Sequence, residues 1–158
     1  STVQLAGCDS SEVWSGFRVG RRARPGPLRA EGWQVECSHD GYRFLSGSPV
    51  HKRRWHFEPA GLQVDDAVEP AVDAAVARYH LAPGLQLRAS GPGTWLVTQG
   101  ESTLARVRVE VGEAAAVDGL HAPRFGVLIP ARCLEVNLVG GRASTRWLWD
   151  DDAHPVPE

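Results

Sequence analysis

Apolar residues fall along this chain in short runs, recurring roughly every ten positions and separated by Gly, Pro, Asp and Ser. Runs rich in β-branched and aromatic residues occupy 2–5, 13–19, 33–37, 50–57, 62–64, 85–89, 95–98, 104–111, 127–129, 134–139 and 144–149. Many short strands at that spacing predict an all-β fold, an antiparallel β-sandwich. Pro59-Ala60-Gly61, Ser90-Gly91-Pro92-Gly93 and Gly140-Gly141 supply the residues that tight reversals require. The stretch 70–81 is ambiguous. Val72, Ala75, Val76 and Tyr79 are spaced as on one face of a helix, whereas Val72, Ala74 and Val76 alternate as in a strand. Strands on both sides make a strand the expectation. The stretch 21–30, with Arg, Pro and Gly interspersed, reads as an exposed loop, and 150–158 as an acidic, proline-bearing tail.

Alternation within 50–57 assigns side chains to faces. His51, Arg53, Trp55 and Phe57 share one side, and Val50, Lys52, Arg54 and His56 the other. The side with Trp and Phe is the one expected to be buried. A guanidinium and an imidazole cannot be buried there cheaply without partners, and Asp40, Asp65 and Asp66 are the nearest acids along the chain. Two readings stay open. In the first, these groups form a structural network that locks two strands. In the second, His39, Tyr42, His51 and Arg53 are candidate catalytic residues lining a cleft for an acidic sugar. Arg43, Arg53 or Arg54 would then grip a carboxylate, and His39, His51 or Tyr42 would move protons.

A second group lies upstream. Trp14 and Phe17 offer aromatic faces on which a sugar ring can stack, and Arg18, Arg21 and Arg22 offer cationic grip. The competing reading places both aromatics in the core and the arginines in solvent. Near the other end, Trp147 and Trp149 alternate with Leu148, so one side of that run belongs to the core.

Composition narrows the picture. A chain of 158 residues, 42% hydrophobic, has enough apolar surface for one core. Its 17 basic and 19 acidic side chains leave a formal charge of -2, so no global field draws it to nucleic acid or an anionic membrane, and neither partner is expected. No apolar run approaches the roughly 18 residues needed to span a bilayer, and residues 1–7 lack the pattern of a signal peptide. The absence of methionine predicts that a segment of the protein precedes Ser1. Cys8, Cys37 and Cys133 have no metal-pair spacing and read as small apolar residues. His80, His121 and His154 stand alone, and no phosphate-cradling glycine loop or Gly-x-Ser-x-Gly elbow occurs. No metal or other cofactor is therefore expected in this chain.

Several motifs in register resemble the C-terminal β-sheet region of the heparinase II/III-like polysaccharide lyases. They are Thr2-Val3 with Asp9 to Trp14, Phe17 to Ala23, His39-Asp40-Gly41-Tyr42, Val50-His51 with Arg53-Arg54, Tyr79-His80-Leu81 with Pro83-Gly84, and Arg124-Phe125-Gly126. The likeness runs from Thr2 to about Trp149 and supports a strand at 72–81. It implies a β-sandwich domain at 1–149 that follows an α/α toroid in the parent protein. It also implies cleavage of uronic-acid polysaccharides by β-elimination, in the periplasm or outside the cell. That chemistry neutralises the uronate carboxylate, removes the adjacent proton and protonates the departing oxygen.

The resemblance gives those duties to Asn, His and Tyr of the toroid and to a His early in the sandwich, none at a position present here. It also implies a His-Asn-Thr-Val segment whose histidine helps to hold a metal in some members; here Ser1-Thr2-Val3 stands in its place. A metal is thus an expectation for the parent rather than for this chain. The expected role is completion of the substrate cleft and bracing of the toroid. The alternative is a non-catalytic carbohydrate-binding or structural module.

Overall fold

The computed structural model describes residues 2–14 and 18–150. Among them are twelve strands and no helix: β1 (Val3–Leu5), β2 (Arg29–Glu31), β3 (Gln34–His39), β4 (Val50–Glu58), β5 (Gly61–Glu69), β6 (Ala75–His80), β7 (Gln86–Gly91), β8 (Thr94–Gln99), β9 (Ser102–Val111), β10 (Glu113–Arg124), β11 (Val127–Asn137) and β12 (Arg142–Trp149). They form a four-stranded sheet, β1-β6-β11-β10, and an eight-stranded sheet, β2-β3-β4-β5-β12-β9-β8-β7. Every pairing is antiparallel. The fold is the expected all-β sandwich.

Period-two burial builds the core from both sheets. Val3, Leu5, Ala75, Ala77, Tyr79, Leu134 and Val136 of the smaller sheet meet Val64, Val68, Val97, Ala105, Val107, Ala143 and Trp147 of the larger one. The hydroxyl of buried Tyr42 donates to the Val3 carbonyl, which fixes the turn after β3 to the first strand. Gly61 is required where β5 passes β12: a Cβ there would lie 2.2 Å from the Trp147 carbonyl oxygen. Backbone cannot retreat as a side chain can, so Gly61→Ala is expected to cost about 1–3 kcal/mol, read as a lower denaturation midpoint with an unchanged slope.

The observed strands differ from the sequence expectation in instructive places. Residues 62–64 belong to a strand three times as long as that run, because β5 continues through Asp65 and Asp66 to Glu69. Glu113–Arg124 is a strand that no apolar run announced. Ala114-Ala115-Ala116 and Gly119 have weak β preference, but Ala114 and Ala116 pack against the core. The expected loop at 21–30 runs into β2 at its end. The stretch 72–81 is a strand from Ala75 onward, with Ala74 at a positive φ of 56° before it. In the run 13–19, Val13 and Val19 form an isolated bridge, and residues 15–17, like 151–158 of the tail, lie outside the described residues.

The runs 127–129 and 134–139 are largely one strand, β11, which passes through Pro130. Pairing of β11 with β6 covers only Cys133 to Asn137, whereas pairing with β10 continues past Pro130 to the turn. Pro130 therefore sits where β11 has a single strand neighbour, a position that tolerates a missing N–H. Residues 119–131 form a two-stranded ribbon that outruns the rest of its sheet. Leu120 and Leu128 continue the face that carries Leu134 and Val136 into the core, yet they are 62% and 64% exposed.

Candidate functional site

The inward side of β4 places His51 and Arg53 opposite Val68 and Asp66 of β5, and His51 opposite His39 of β3. Alternation put them on the core side, and they are buried there, 3% and 5% exposed. The acid that meets them is Asp66. Arg53 donates through Nε to Asp66 Oδ1 at 2.8 Å and through a terminal nitrogen to Oδ2 at 2.9 Å, a bidentate pair. Tyr79 of β6 donates its hydroxyl to Oδ2 at 3.0 Å, joining the two sheets, and the Arg53 guanidinium lies 5.2 Å from the Tyr79 ring centroid.

Hydrogen bonding fixes the histidine tautomers. The Gly41 N–H donates to His39 Nδ1 at 3.3 Å, so His39 carries its proton on Nε2. That proton goes to His51 Nδ1 at 3.1 Å, and His51 Nε2 donates in turn to Asp66 Oδ1 at 2.6 Å. All three polar contacts are satisfied with both rings neutral and the carboxylate charged. Burial, reinforced by His51 and Arg53, pushes His39 down to about 4, against a smaller opposing pull from Asp40. Burial alone would raise Asp66, but the hydrogen bonds from His51 and Arg53 outweigh it and hold the carboxyl below its ordinary range. Burial pushes Tyr42 up to about 12, and Tyr79 is raised by burial and by Asp66. At neutral pH neither phenol is a ready base.

Arg54 lies on the opposite, solvent-facing side of the larger sheet, as alternation placed it. It donates to Glu36 at 3.0 Å, and Lys52 reaches the same carboxylate at 3.6 Å. These residues line a shallow groove of about 310 Å³ with Asp65, Ala67, Glu69 and Arg142. Arg54 therefore does not share a cavity with His39 and His51. Arg43 is exposed, 3.5 Å from Asp40.

The upstream group sits beside the turn that holds Tyr42. Ser11 Oγ accepts from the Ala23 N–H, and Arg24 and Asp40 exchange two hydrogen bonds, so residues 21–24 lie beside residues 40–44. Arg21 stacks on the Phe44 ring, 3.4 Å from its centroid. Trp14 is 53% exposed and so is not a core residue; its ring lies over Gly20, with Nε1 donating to Glu12 at 3.1 Å. Arg18 is exposed, and Phe17 lies outside the described residues. The structure thus brings His39, Tyr42, Arg43 and the segment bearing Trp14 into one neighbourhood, and separates them from Arg54.

Tyr79 joins the network without having been singled out for it. Its parity with Ala75 and Ala77 was the available signal, since all three point inward from β6. Among the described residues no group of three His, Cys, Asp or Glu is arranged to hold a metal ion. Both ring nitrogens of His51 are already engaged, by His39 and Asp66.

A family model described as "Heparinase II/III-like, C-terminal" matches residues 1–149. No curated protein matches the chain. Among solved structures, a heparinase III gene product superposes with a TM-score of 0.58 over 93% of this chain, at 15% sequence identity. That likeness is one of fold, and the chain spans only 23% of the solved one.

Proposed function

The chain belongs to the family of heparinase II/III-like C-terminal domains, and from that premise we propose that it is the β domain of a polysaccharide lyase. The parent protein cleaves a uronic-acid-containing polysaccharide by β-elimination, in the periplasm or outside the cell. This domain completes the substrate cleft and braces an α/α toroid that carries the remaining catalytic groups.

The observation that carries this reading is the overhanging β10–β11 ribbon. A two-stranded hairpin is marginally stable alone in water, and this one extends the core-facing side of its sheet, with Leu120 and Leu128, beyond the sheet that covers it. The similar heparinase III chain is several times longer than the part matched here, and the toroid is the element the ribbon would pack against. The buried His51–Asp66–Arg53–Tyr79 network then serves to hold His39 and the neighbouring turn in place, not to carry out elimination. One observation favours the second reading, a non-catalytic carbohydrate-binding module: the exposed Trp14 ring.

Ultraviolet detection of unsaturated uronate from alginate, heparan sulfate and hyaluronan tests the proposal. The protein extended upstream through the toroid is expected to yield product and the present chain none. Deleting residues 119–131 from the extended protein is expected to lower kcat/KM by roughly a hundredfold, the scale of loss that misplacing a positioning element by an ångström can cause. Product from the chain alone would overturn the reading. Glycan affinity lost on Trp14→Ala, without activity in the extended protein, would establish the binding module instead.

A further inference from the structure

We propose that the solvent-facing side of the larger sheet, where β7, β8, β9 and β12 lie side by side, is a binding surface for an anionic polysaccharide, gripped by Arg88, Arg106 and Arg108. The ligand class rests on the function proposed above; the surface itself rests on register. Leu96 of β8 is opposite Arg88 of β7 on one side and Arg106 of β9 on the other, and Arg106 is opposite Leu148 of β12. The row Arg88–Leu96–Arg106–Leu148 therefore crosses four strands. Val97, Ala105, Val107 and Trp147, their chain neighbours, are buried in the core, so these four side chains share the other face. The three arginines are exposed and the two leucines half-buried.

The next row sharpens the charge. Arg108 is directly opposite Arg146, and like charges facing each other across strands are unfavourable unless something neutralises them. Arg146 has Glu58 at 2.5 Å. Arg88, Arg106 and Arg108 enter no salt bridge among the described residues, and the one acid beside them on this face of β9 is Glu110, two residues beyond Arg108. The groove at the other end of the same sheet differs in this respect, because its cations Lys52, Arg54 and Arg142 are already held by Glu36 and Glu69.

The pattern suits a sugar chain laid across the strands. Arg88 and Arg106 are two strands apart, roughly 10 Å, a separation comparable to one disaccharide unit. Each guanidinium fork matches a carboxylate or sulfate, while Leu96 and Leu148 offer flat apolar steps to the C–H faces of the rings between. Single-stranded nucleic acid would want aromatic side chains for its bases, and the outward positions of these four strands carry none.

The test is fluorescence anisotropy with labelled hexasaccharides of heparan sulfate and alginate, with maltohexaose as the neutral probe and a DNA oligonucleotide of matched charge. The folded wild-type chain is expected to bind at least one anionic hexasaccharide, more weakly as salt rises, and not maltohexaose. R88S/R106S/R108S is expected to lose at least tenfold in affinity with an unchanged melting midpoint. Should that variant fail to fold, amide shift perturbation in the wild type serves in its place, expected at residues 88, 96, 106 and 108. Undiminished binding by the folded variant, no binding of any anionic glycan, shifts centred instead on the Glu36–Arg54 groove or on Trp14, or equal affinity for the DNA would each overturn the proposal. Absence of unsaturated product from the extended protein would defeat the lyase reading while leaving this binding result standing.

Discussion

Replacing Asp66 with Asn is expected to remove about 3–5 kcal/mol of stability, because it takes away the carboxylate that pairs with the Arg53 guanidinium in a site that is 5% exposed. Asn keeps the shape of the side chain but not its charge, and one of its two acceptors becomes a donor facing Arg53 or His51. Domains of this kind have roughly 5–15 kcal/mol in total, so the loss is a large share. Substituting the group together, Arg53→Met with Asp66→Leu and His51→Leu, is expected to cost much less than the single change, since no buried charge is left unpaired. The exposed pair Arg142–Glu69, at 3.2 Å, is the control; Glu69→Gln is expected to change stability by about 1 kcal/mol or less. Urea unfolding of the variants separates the cases. A loss under about 1 kcal/mol for Asp66→Asn would mean that the carboxylate is not the counter-ion described here.

Acid is expected to weaken the fold in two stages. The folded chain holds His39 near 4, below its ordinary 6.5, so the unfolded chain takes up a proton first. Stability from this group is complete above pH 6.5 and is lost as the pH falls from 6.5 towards 4. The main cause is burial, which disfavours the charged ring; a second proton on His39 Nδ1 would also point at the Gly41 N–H that now donates to it. After discounting for partial exposure, the effect is of order 2 kcal/mol, or roughly 4–8 °C in Tm for a domain of this size. Asp66 acts lower. Its carboxyl is held below its ordinary value of 3.8, so its contribution is present above that pH and disappears as the pH drops through the depressed value. Melting curves between pH 7.5 and 3 measure the first stage and the onset of the second. His39→Gln should flatten the first and leave the second; an equal slope in the variant would remove His39 as the source.

Alternation did most of the work in making the fold and part of the site legible. The run 50–57 assigned His51 and Arg53 to the core side and Arg54 to the other, and the cost of burying a cation narrowed its partner to three acids, of which Asp66 is the one used. Trp14 could not be placed this way. Its segment is held by loop hydrogen bonds, Trp14 to Arg18, Glu12 to Arg21 and Ala23 to Ser11, and nothing periodic marks them. Glu113–Arg124 escaped notice because its strand character comes from its neighbour β11 and not from its own alanines. The arginine row escaped for a related reason. Arg88, Arg106 and Arg108 sit on two strands whose shared neighbour is β8, and only the register of three strands brings them together.

The place of β12 governs how this domain can be made. The last of the described strands in chain order lies in the middle of the larger sheet, hydrogen-bonded to β5 on one side and β9 on the other. Until residues 142–149 emerge, β2–β5 and β7–β9 are two half-sheets, each with an unsatisfied edge and no bond between them. The chain is thus expected to complete its fold only after translation has passed Trp149, slowly, as sheets dominated by distant pairings do. A ribosome-bound or truncated chain lacking β12 would expose two pairing-competent edges, and would depend on chaperones to keep them from joining those of its neighbours.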